Sequence, residues 1–152
     1  ESALKICDIN LRAPFYTADT IKQSLELANV LKLNEEELPI IADILDISGD
    51  TYGLLKTIQQ QYQLHSIALT QGAEGAILIH HDQLVEVPIV PTTVVDTVGA
   101  GDSFTAAFTL GLLQEKPLED IARFATQVSS YVCSQRGATP QLSKTLFNSR
   151  FN

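Results

Sequence analysis

The chain has 152 residues, of which 45% are hydrophobic, so it can form a domain with its own core and is too apolar to be disordered. Its 10 lysines and arginines against 18 aspartates and glutamates give a net charge of −8, which argues against nucleic acids and anionic membranes as partners. No apolar run is long enough to span a bilayer, and Cys7 and Cys133 lie far apart in apolar contexts. We therefore expect reduced core thiols in a cytoplasmic protein.

The hydrophobic pattern predicts strands that alternate with helices along most of the chain. The predicted strands cover residues 3–9, 29–33, 66–70, 76–81 and 84–87. The predicted helices cover residues 18–28, 51–62, 100–114, 118–134 and 143–150, and a further helix opens at 34–37, where Pro39 breaks or restarts it. This alternation favours a largely parallel sheet covered on both faces, with ligands bound beyond the carboxyl ends of the strands.

A glycine-rich run stands where the apolar helix at 100–114 begins. Gly99, Ala100 and Gly101 have no lysine or arginine beside them. The free N–H groups of a helix N-terminus carry about half a positive charge and can hold a phosphate without a basic side chain. Asp102 follows in the first turn, where the helix dipole favours a carboxylate, and as a base it would accept a proton from a hydroxyl that attacks phosphorus. On spacing alone, an ordinary glycine-rich helix start explains the run equally well.

The wider segment "DTVGAGDSFTAAFT", from Asp96 to Thr109, resembles the C-terminal signature of the ribokinase-like, or PfkB-type, carbohydrate kinases. The resemblance implies that Asp102 is the catalytic base and that Gly99, Ala100 and Gly101 form the anion hole for the transferring phosphoryl group. It also implies a monovalent, potassium-like cation beside that hole. The residues implied as its surroundings are Asp96, Val98, Val132, Gln135 and Gly137.

"NEEE", from Asn34 to Glu37, resembles the family's Asn-x-x-Glu motif. In that family the motif organises magnesium and the phosphates of ATP, largely through water, which implies this role for Asn34 and Glu37. A capping box between the same two residues is the structural alternative, and on the motif alone it is favoured.

Two further segments resemble nucleotide-binding parts of the family. "TQGAEGA" is similar to its nucleotide loop and matches at Thr70, Gly72 and Gly75. "RGATP" is similar to the segment beside the adenine and the cation, with Gly137 as the matching residue. The structural alternatives are a hairpin turn that needs glycine and a helix C-terminus that Gly137 ends.

The opening segment "DINLR" resembles the fructokinase and 2-keto-3-deoxygluconate kinase branch of the family. In that branch Asn10 and Arg12 lie near the nucleotide phosphates, where the guanidinium neutralises negative charge. A salt bridge between Asp8 and Arg12 at the strand end is an equally weighted alternative.

The resemblance spans the whole chain but only the C-terminal half of the family. It implies a three-layer α/β/α, ribokinase-like (Rossmann-like) sheet without the lid. We expect residues 1–152 to be the nucleotide-binding half of a sugar kinase, without the N-terminal half and most of the sugar pocket, and with little or no activity alone. A homodimer of the full-length protein stays open, because the missing lid often mediates dimers.

The function that the resemblance implies is transfer of a phosphoryl group from ATP, with magnesium, to a hydroxyl of a small sugar, first of all fructose. Kinases of 2-keto-3-deoxygluconate, ribose or a nucleoside are alternatives within the family. A nucleotide-binding module without catalysis is the alternative from another class. The intact Asp102 and glycine run argue against such a degenerate module.

The histidines give no comparable signal. His80 and His81 are neighbours on a predicted strand, so we expect their side chains to point to opposite faces. With no third ligand in sight, placement at the surface or at a strand edge is favoured over a metal site. His65 precedes a strand and is expected to be exposed.

Overall fold

The computed structural model describes residues 3–146, which fall into two compact units. The first unit contains the residues up to 71 together with 78–84, and the second contains 72–77 together with the residues from 85 onward. The helix predicted at 143–150 begins as a short 3-10 turn, Lys144–Leu146, and the rest of that prediction lies outside the described residues.

The strands form one sheet in which they follow one another in chain order. They are β1 (Ile6–Asp8), β2 (Val30–Asn34), β3 (Ser66–Thr70), β4 (Ala76–His80) and β5 (Gln83–Val87). β1 and β2 pair in parallel, and so do β2 and β3, as the pattern predicts. The connections 71–75 and 81–82 are too short for a parallel crossover, so β3, β4 and β5 run antiparallel and the sheet is mixed.

Three helices belong to the first unit: α1 (Ala18–Leu27), α2 (Glu37–Leu45) and α3 (Thr51–Tyr62). Local caps start α1 and α3, because the side chains of Thr17 and Asp50 accept backbone N–H groups of the first turn. The expected break at Pro39 is wrong, since Pro39 lies in the first turn of α2. There its missing N–H has no intrahelical acceptor to lose.

Two long helices belong to the second unit: α4 (Ala100–Leu113) and α5 (Leu118–Cys133). Phe104, Ala107 and Phe108 are buried on one side of α4. Gly111 allows a close approach to α5, because a Cβ at this position would lie 2.7 Å from the Ile121 side chain. This packing fixes the N-terminus of α4 relative to the end of α5. No helix within residues 3–146 has both the length and the apolar character needed to cross a bilayer.

Candidate active site

The N-terminus of α4 is built on a glycine that no other residue replaces without strain. Gly99 is the N-cap of the helix and has φ 82° and ψ −2°, in the left-handed region. A Cβ on Gly99 would lie 2.8 Å from the Cα of Ala138 and would also overlap its carbonyl oxygen. The segment around Ala138 therefore crosses directly over the start of α4, and only glycine fits beneath it.

The backbone N–H groups of this turn are unequal in what they can bind. The N–H of Ala100 donates to the Thr97 carbonyl at 3.2 Å, and the N–H of Ser103 donates to the Gly99 carbonyl at 2.9 Å. Within residues 3–146, the N–H groups of Gly101 and Asp102 have no hydrogen-bond acceptor. Of the predicted anion-hole residues, Gly101 thus has a free amide while Ala100 is engaged in a turn.

Asp102 lies in the first turn of α4 and its side chain is exposed. Together with Gly99 it lines a cavity of about 420 Å³. The rest of the lining comes from one side of α4, from Phe124, Val128 and Val132 of α5, and from residues 138–142, and it is mostly apolar. The predicted catalytic carboxylate can therefore meet a ligand, in a space of the size that small-molecule sites have.

Asp96 joins the residues predicted around the cation. Its Oδ1 accepts the N–H of Val98 at 3.0 Å and its Oδ2 accepts the N–H of Gly137 at 3.2 Å. These bonds, the one from Val98 first, hold the pKa of Asp96 below its usual value. The N–H of Asp96 in turn donates to the Cys133 carbonyl at 3.1 Å, at the end of α5.

The cation prediction fits this arrangement in part. The ionised, partly exposed carboxylate of Asp96 is an oxygen ligand of the kind that a monovalent cation needs, whereas Val98 and Gly137 turn N–H groups toward it. The Val132 carbonyl already accepts the N–H of Gln135 at 3.0 Å, closing the turn after α5. Gly137 has φ 81° but does not end α5, whose last residue is Cys133.

Ser129 is a residue of this site that the sequence did not reveal. Its hydroxyl donates to the Ala100 carbonyl at 3.0 Å, and the Ser103 hydroxyl donates to the same oxygen at 2.9 Å. Ser129 thereby ties α5 to the first turn of α4. The two partners lie 29 positions apart, so no local pattern could have indicated the contact.

In the first unit, Asn34 and Glu37 form the predicted capping box. The Asn34 Oδ1 accepts the N–H groups of Glu36 and Glu37, both at 2.9 Å, and the Glu37 Oε2 accepts the N–H of Asn34 at 2.8 Å. The other carboxylate oxygen of Glu37 accepts the N–H of Leu11 at 3.1 Å. Glu37 is only 6% exposed, and both of its carboxylate oxygens are engaged by backbone N–H groups.

The residues after the parallel strands lie at one edge of the sheet. Asn10 and Arg12 follow β1 and are both exposed, whereas Asn34 and Thr70 are paired in register at the ends of β2 and β3. Asp8 forms an ion pair with Lys32, with 3.2 Å between Oδ1 and Nζ. The structural alternative drawn from the sequence named Arg12 as the partner of Asp8 instead. Lys32 is 6% exposed, so this pair neutralises a buried cation.

Cys7 and Cys133 are free thiols, as expected, but both are only half-buried, whereas the sequence predicted that they lie in the core. Burial, with the charges of Asp8 and Glu37, raises the pKa of the Cys7 thiol. Burial and the charge of Asp96 raise the pKa of Cys133 in the same direction. Both thiols are therefore poor nucleophiles.

The predicted nucleotide loop contains a short 3-10 turn, Gly72–Glu74. Gly75 has φ 116°, and a Cβ there would lie 2.8 Å from the N of Ile89 and would overlap the Val87 carbonyl. The glycine at 75 is thus required by the neighbouring backbone, whatever the loop binds. Gly72 is exposed and has φ 49°.

The expectation that His80 and His81 point to opposite faces is wrong. β4 ends at His80, and His81 lies in the turn with φ 50°, which ends the strand alternation. The ring centroids of His80 and His81 are 4.4 Å apart, and those of His65 and His81 are 5.5 Å apart. Burial is the main cause that lowers the pKa of His80, and the charges of His81 and His65 lower it further. Within residues 3–146, no group of three or more His, Cys, Asp or Glu side chains could hold a metal ion.

Comparison with known proteins shows which proteins this chain is similar to. A family model described as "pfkB family carbohydrate kinase" matches residues 1–145. The uncharacterized sugar kinase PH1459 of Pyrococcus horikoshii is 29% identical over 156 residues, which cover 95% of this chain and 46% of the relative. Its solved structure in complex with ATP superposes with a TM-score of 0.72 at 28% identity, covering 90% of this chain and 44% of the other.

Two further relatives differ in the substrate that their names state. A fructokinase of Escherichia coli is 29% identical over 80% of this chain and 40% of its own length. A nucleoside kinase of Methanothermobacter thermautotrophicus is 27% identical over 86% of this chain and 40% of its own length. The chain thus spans less than half of the relatives that it matches, and similar identities to both do not separate a fructokinase from a nucleoside kinase.

Proposed function

Because the chain belongs to the pfkB family of carbohydrate kinases, we propose that residues 1–152 are the nucleotide-binding half of an ATP-dependent sugar kinase. The observation that carries this proposal is the exposed Asp102 carboxylate in a cavity, next to the free amides of Gly101 and Asp102. The solved relative that contains ATP supports the choice of phosphoryl donor. The first candidate for the acceptor is a hydroxyl of fructose.

In the proposed reaction Asp102 is the general base. Its carboxylate takes the proton of the sugar hydroxyl while the hydroxyl oxygen forms a bond to the γ-phosphorus. The bond between that phosphorus and the bridging oxygen breaks, and ADP leaves with the electron pair. The free amides at the start of α4 face the negative charge that develops on the phosphoryl oxygens and stabilise it. The chain places no basic side chain in the first turn of α4, so these amides supply the positive potential.

The remaining predicted residues are proposed to hold the nucleotide and its ions. Magnesium, when bound, screens the phosphate charges, and Asn34 and Glu37 are its proposed partners through water. Asp96 is the proposed carboxylate of a monovalent cation site whose occupation orders the turn at 97–101. The N–H groups of Val98 and Gly137, which both donate to Asp96, support this role, since they connect the turn to the segment after α5 through that carboxylate.

The nucleotide itself is proposed to contact the loop with Thr70, Gly72 and Gly75 and the segment at Gly137. Arg12 and Asn10 are proposed to meet its phosphates. The chain covers 40–46% of the relatives named above, so we propose that it has little or no kinase activity alone. Activity then belongs to a full-length kinase of the cytoplasm that contains these residues.

The decisive test replaces Asp102 by asparagine in the full-length kinase. We expect kcat to fall by about 10²–10⁴-fold, the usual contribution of a general base, with ATP affinity unchanged. The matched control is Glu115→Gln, the same change of acid to amide at an exposed residue beyond the other end of α4. If Asp102→Asn keeps its turnover while ATP affinity is unchanged, Asp102 is not the base.

The acceptor is a separate question, because the relatives include a fructokinase and a nucleoside kinase. Steady-state kinetics of the full-length kinase with fructose, 2-keto-3-deoxygluconate, ribose and nucleosides would rank these acceptors by kcat/KM. A preference for fructose supports the first candidate, and a preference for a nucleoside replaces it. ATP binding without turnover of any acceptor would favour the non-catalytic module instead.

A further inference from the structure

Glu37 is a buried carboxylate whose two oxygens are committed to different parts of the backbone. Oε1 accepts the N–H of Leu11 at 3.1 Å and Oε2 accepts the N–H of Asn34 at 2.8 Å. The side chain is only 6% exposed. Burying a charge is costly unless it is hydrogen-bonded, and bonds to an ionised acceptor are among the strong ones. The two N–H groups therefore stabilise the carboxylate, and the carboxylate fixes them.

The two segments that Glu37 joins follow neighbouring parallel strands. Leu11 lies in the loop after β1, and Asn34 is the last residue of β2. The ladder between these strands ends where the N–H of Ile9 donates to the Lys32 carbonyl at 2.9 Å. Beyond Ile9, the bond to Glu37 is the next hydrogen bond in the described chain that ties this loop to the region of β2.

The loop held in this way carries exposed polar groups at the carboxyl edge of the parallel strands. Arg12 is exposed there, next to the tethered Leu11, and Asn10 is exposed on the other side. Open parallel sheets bind ligands beyond this edge. The net charge of the chain is −8, so its overall field repels an anionic ligand. The Arg12 guanidinium can offset this repulsion locally only if the loop holds it where the ligand binds.

We propose that Glu37 is a positioning residue that holds the loop of Asn10 and Arg12 through the N–H of Leu11, and so sets where the guanidinium meets a polyphosphate. This inference rests on the proposed function for its ligand, since it takes the polyphosphate to be that of a nucleotide. It differs from the magnesium role proposed above in one measurable respect. A residue that positions Arg12 acts with or without magnesium, whereas a residue that organises the ion acts only when the ion is present.

The first experiment measures amide hydrogen exchange by NMR in residues 1–152. Glu37→Gln replaces one acceptor oxygen by an NH₂ group, which cannot accept an N–H. We expect the Leu11 amide to exchange about tenfold faster or more, while the amides of residues 30–33 in β2 and those of β3, none of which donates to Glu37, keep their protection. The matched control is Glu36→Gln, an exposed neighbour whose change in charge is the same. If Glu37→Gln does not fold, Glu37→Asp keeps the charge but is too short to reach both segments. Unchanged Leu11 exchange in both Glu37→Gln and Glu37→Asp overturns the proposal.

The second experiment measures binding of inorganic tripolyphosphate by calorimetry in the presence of EDTA. We expect Glu37→Gln and Arg12→Gln each to weaken binding by about fivefold to tenfold, a range typical for one charge-assisted contact at an exposed site. In the double variant the two losses should not add, because both act through the same guanidinium. Glu36→Gln should bind as the wild type does.

Three results of the second experiment would overturn the proposal. The first is an effect of Glu37→Gln that appears only after magnesium is added. The second is full addition of the two losses in the double variant. The third is a wild-type chain that does not bind tripolyphosphate. The proposed kinase function fails on different grounds, namely undiminished turnover of Asp102→Asn in the full-length kinase, so the two failures can be told apart.

Discussion

Replacing Gly99 by alanine tests whether the segment around Ala138 really crosses over the start of α4. Gly99 and Gly137 have almost the same φ, 82° and 81°, in the left-handed region. They differ in their surroundings. A Cβ at Gly99 would lie 2.8 Å from the Ala138 Cα, whereas a Cβ at Gly137 would meet no atom within 4 Å. The two substitutions therefore share the conformational cost and differ in the overlap.

The magnitudes follow from these two contributions. A left-handed conformation costs an alanine about 1–2 kcal/mol, which is the full effect expected for Gly137→Ala. Backbone that must shift to accept an extra methyl group adds about 1–3 kcal/mol, so Gly99→Ala should lose about 2–5 kcal/mol in the free energy of unfolding. The entropy change of the unfolded chain is the same in both variants and cancels in the comparison.

Urea unfolding followed by circular dichroism measures both free energies, provided that the m-value is unchanged. We expect Gly99→Ala to be the less stable variant by more than about 1 kcal/mol, the smallest overlap cost. Equal losses for the two variants would refute the reasoning, because they would mean that Ala138 does not restrict position 99. Greater loss for Gly137→Ala would refute it as well.

Two further predictions concern the core and the pH dependence of stability. Phe108 is fully buried on α4, so Phe108→Ala should lower the free energy of unfolding by about 3–5 kcal/mol, while Leu113→Ala, 65% exposed on the same helix, should change it by less than about 0.5 kcal/mol in urea titrations. Similar losses would contradict the helix orientation. The pKa of His80 is lowered in the folded chain, so below the usual pKa of about 6.5 the unfolded chain binds a proton that the folded chain does not. The urea midpoint should therefore fall as the pH decreases from about 8 to about 5, and should fall less in His80→Gln; an equal fall in both proteins would show that His80 is not responsible.

The sequence predicted the elements best where the signals were local. The helix predicted at 51–62 is α3, because Asp50 caps its first turn and Leu55 and Ile58 fall on one face. The capping box of Asn34 and Glu37 was equally accessible, since its partners are three positions apart. The position of Pro39 was misjudged because a proline in the first turn of a helix disrupts nothing.

The candidate site divides in the same way between local and distant signals. The glycine run and Asp102 could be identified from the sequence because a helix N-terminus and its first-turn acid are neighbours in the chain. The placement of His81 could not, since its φ of 50° in the turn after β4 overrides the alternation on which the prediction was based. The contact of Ser129 with Ala100 had no signal at all.

By itself, the sequence determined the family, the helix start at Gly99 and the residues with the required chemistry, because each of these depends on spacing along the chain. Only the tertiary structure decided which of those groups are already occupied. Glu37 reaches Leu11 across 26 positions and Asp96 reaches Gly137 across 41, and both bonds depend on how separate segments pack. Hydrogen-bond partners so distant in sequence are chosen by the fold as a whole, so periodicity and motif could supply the groups but not their contacts.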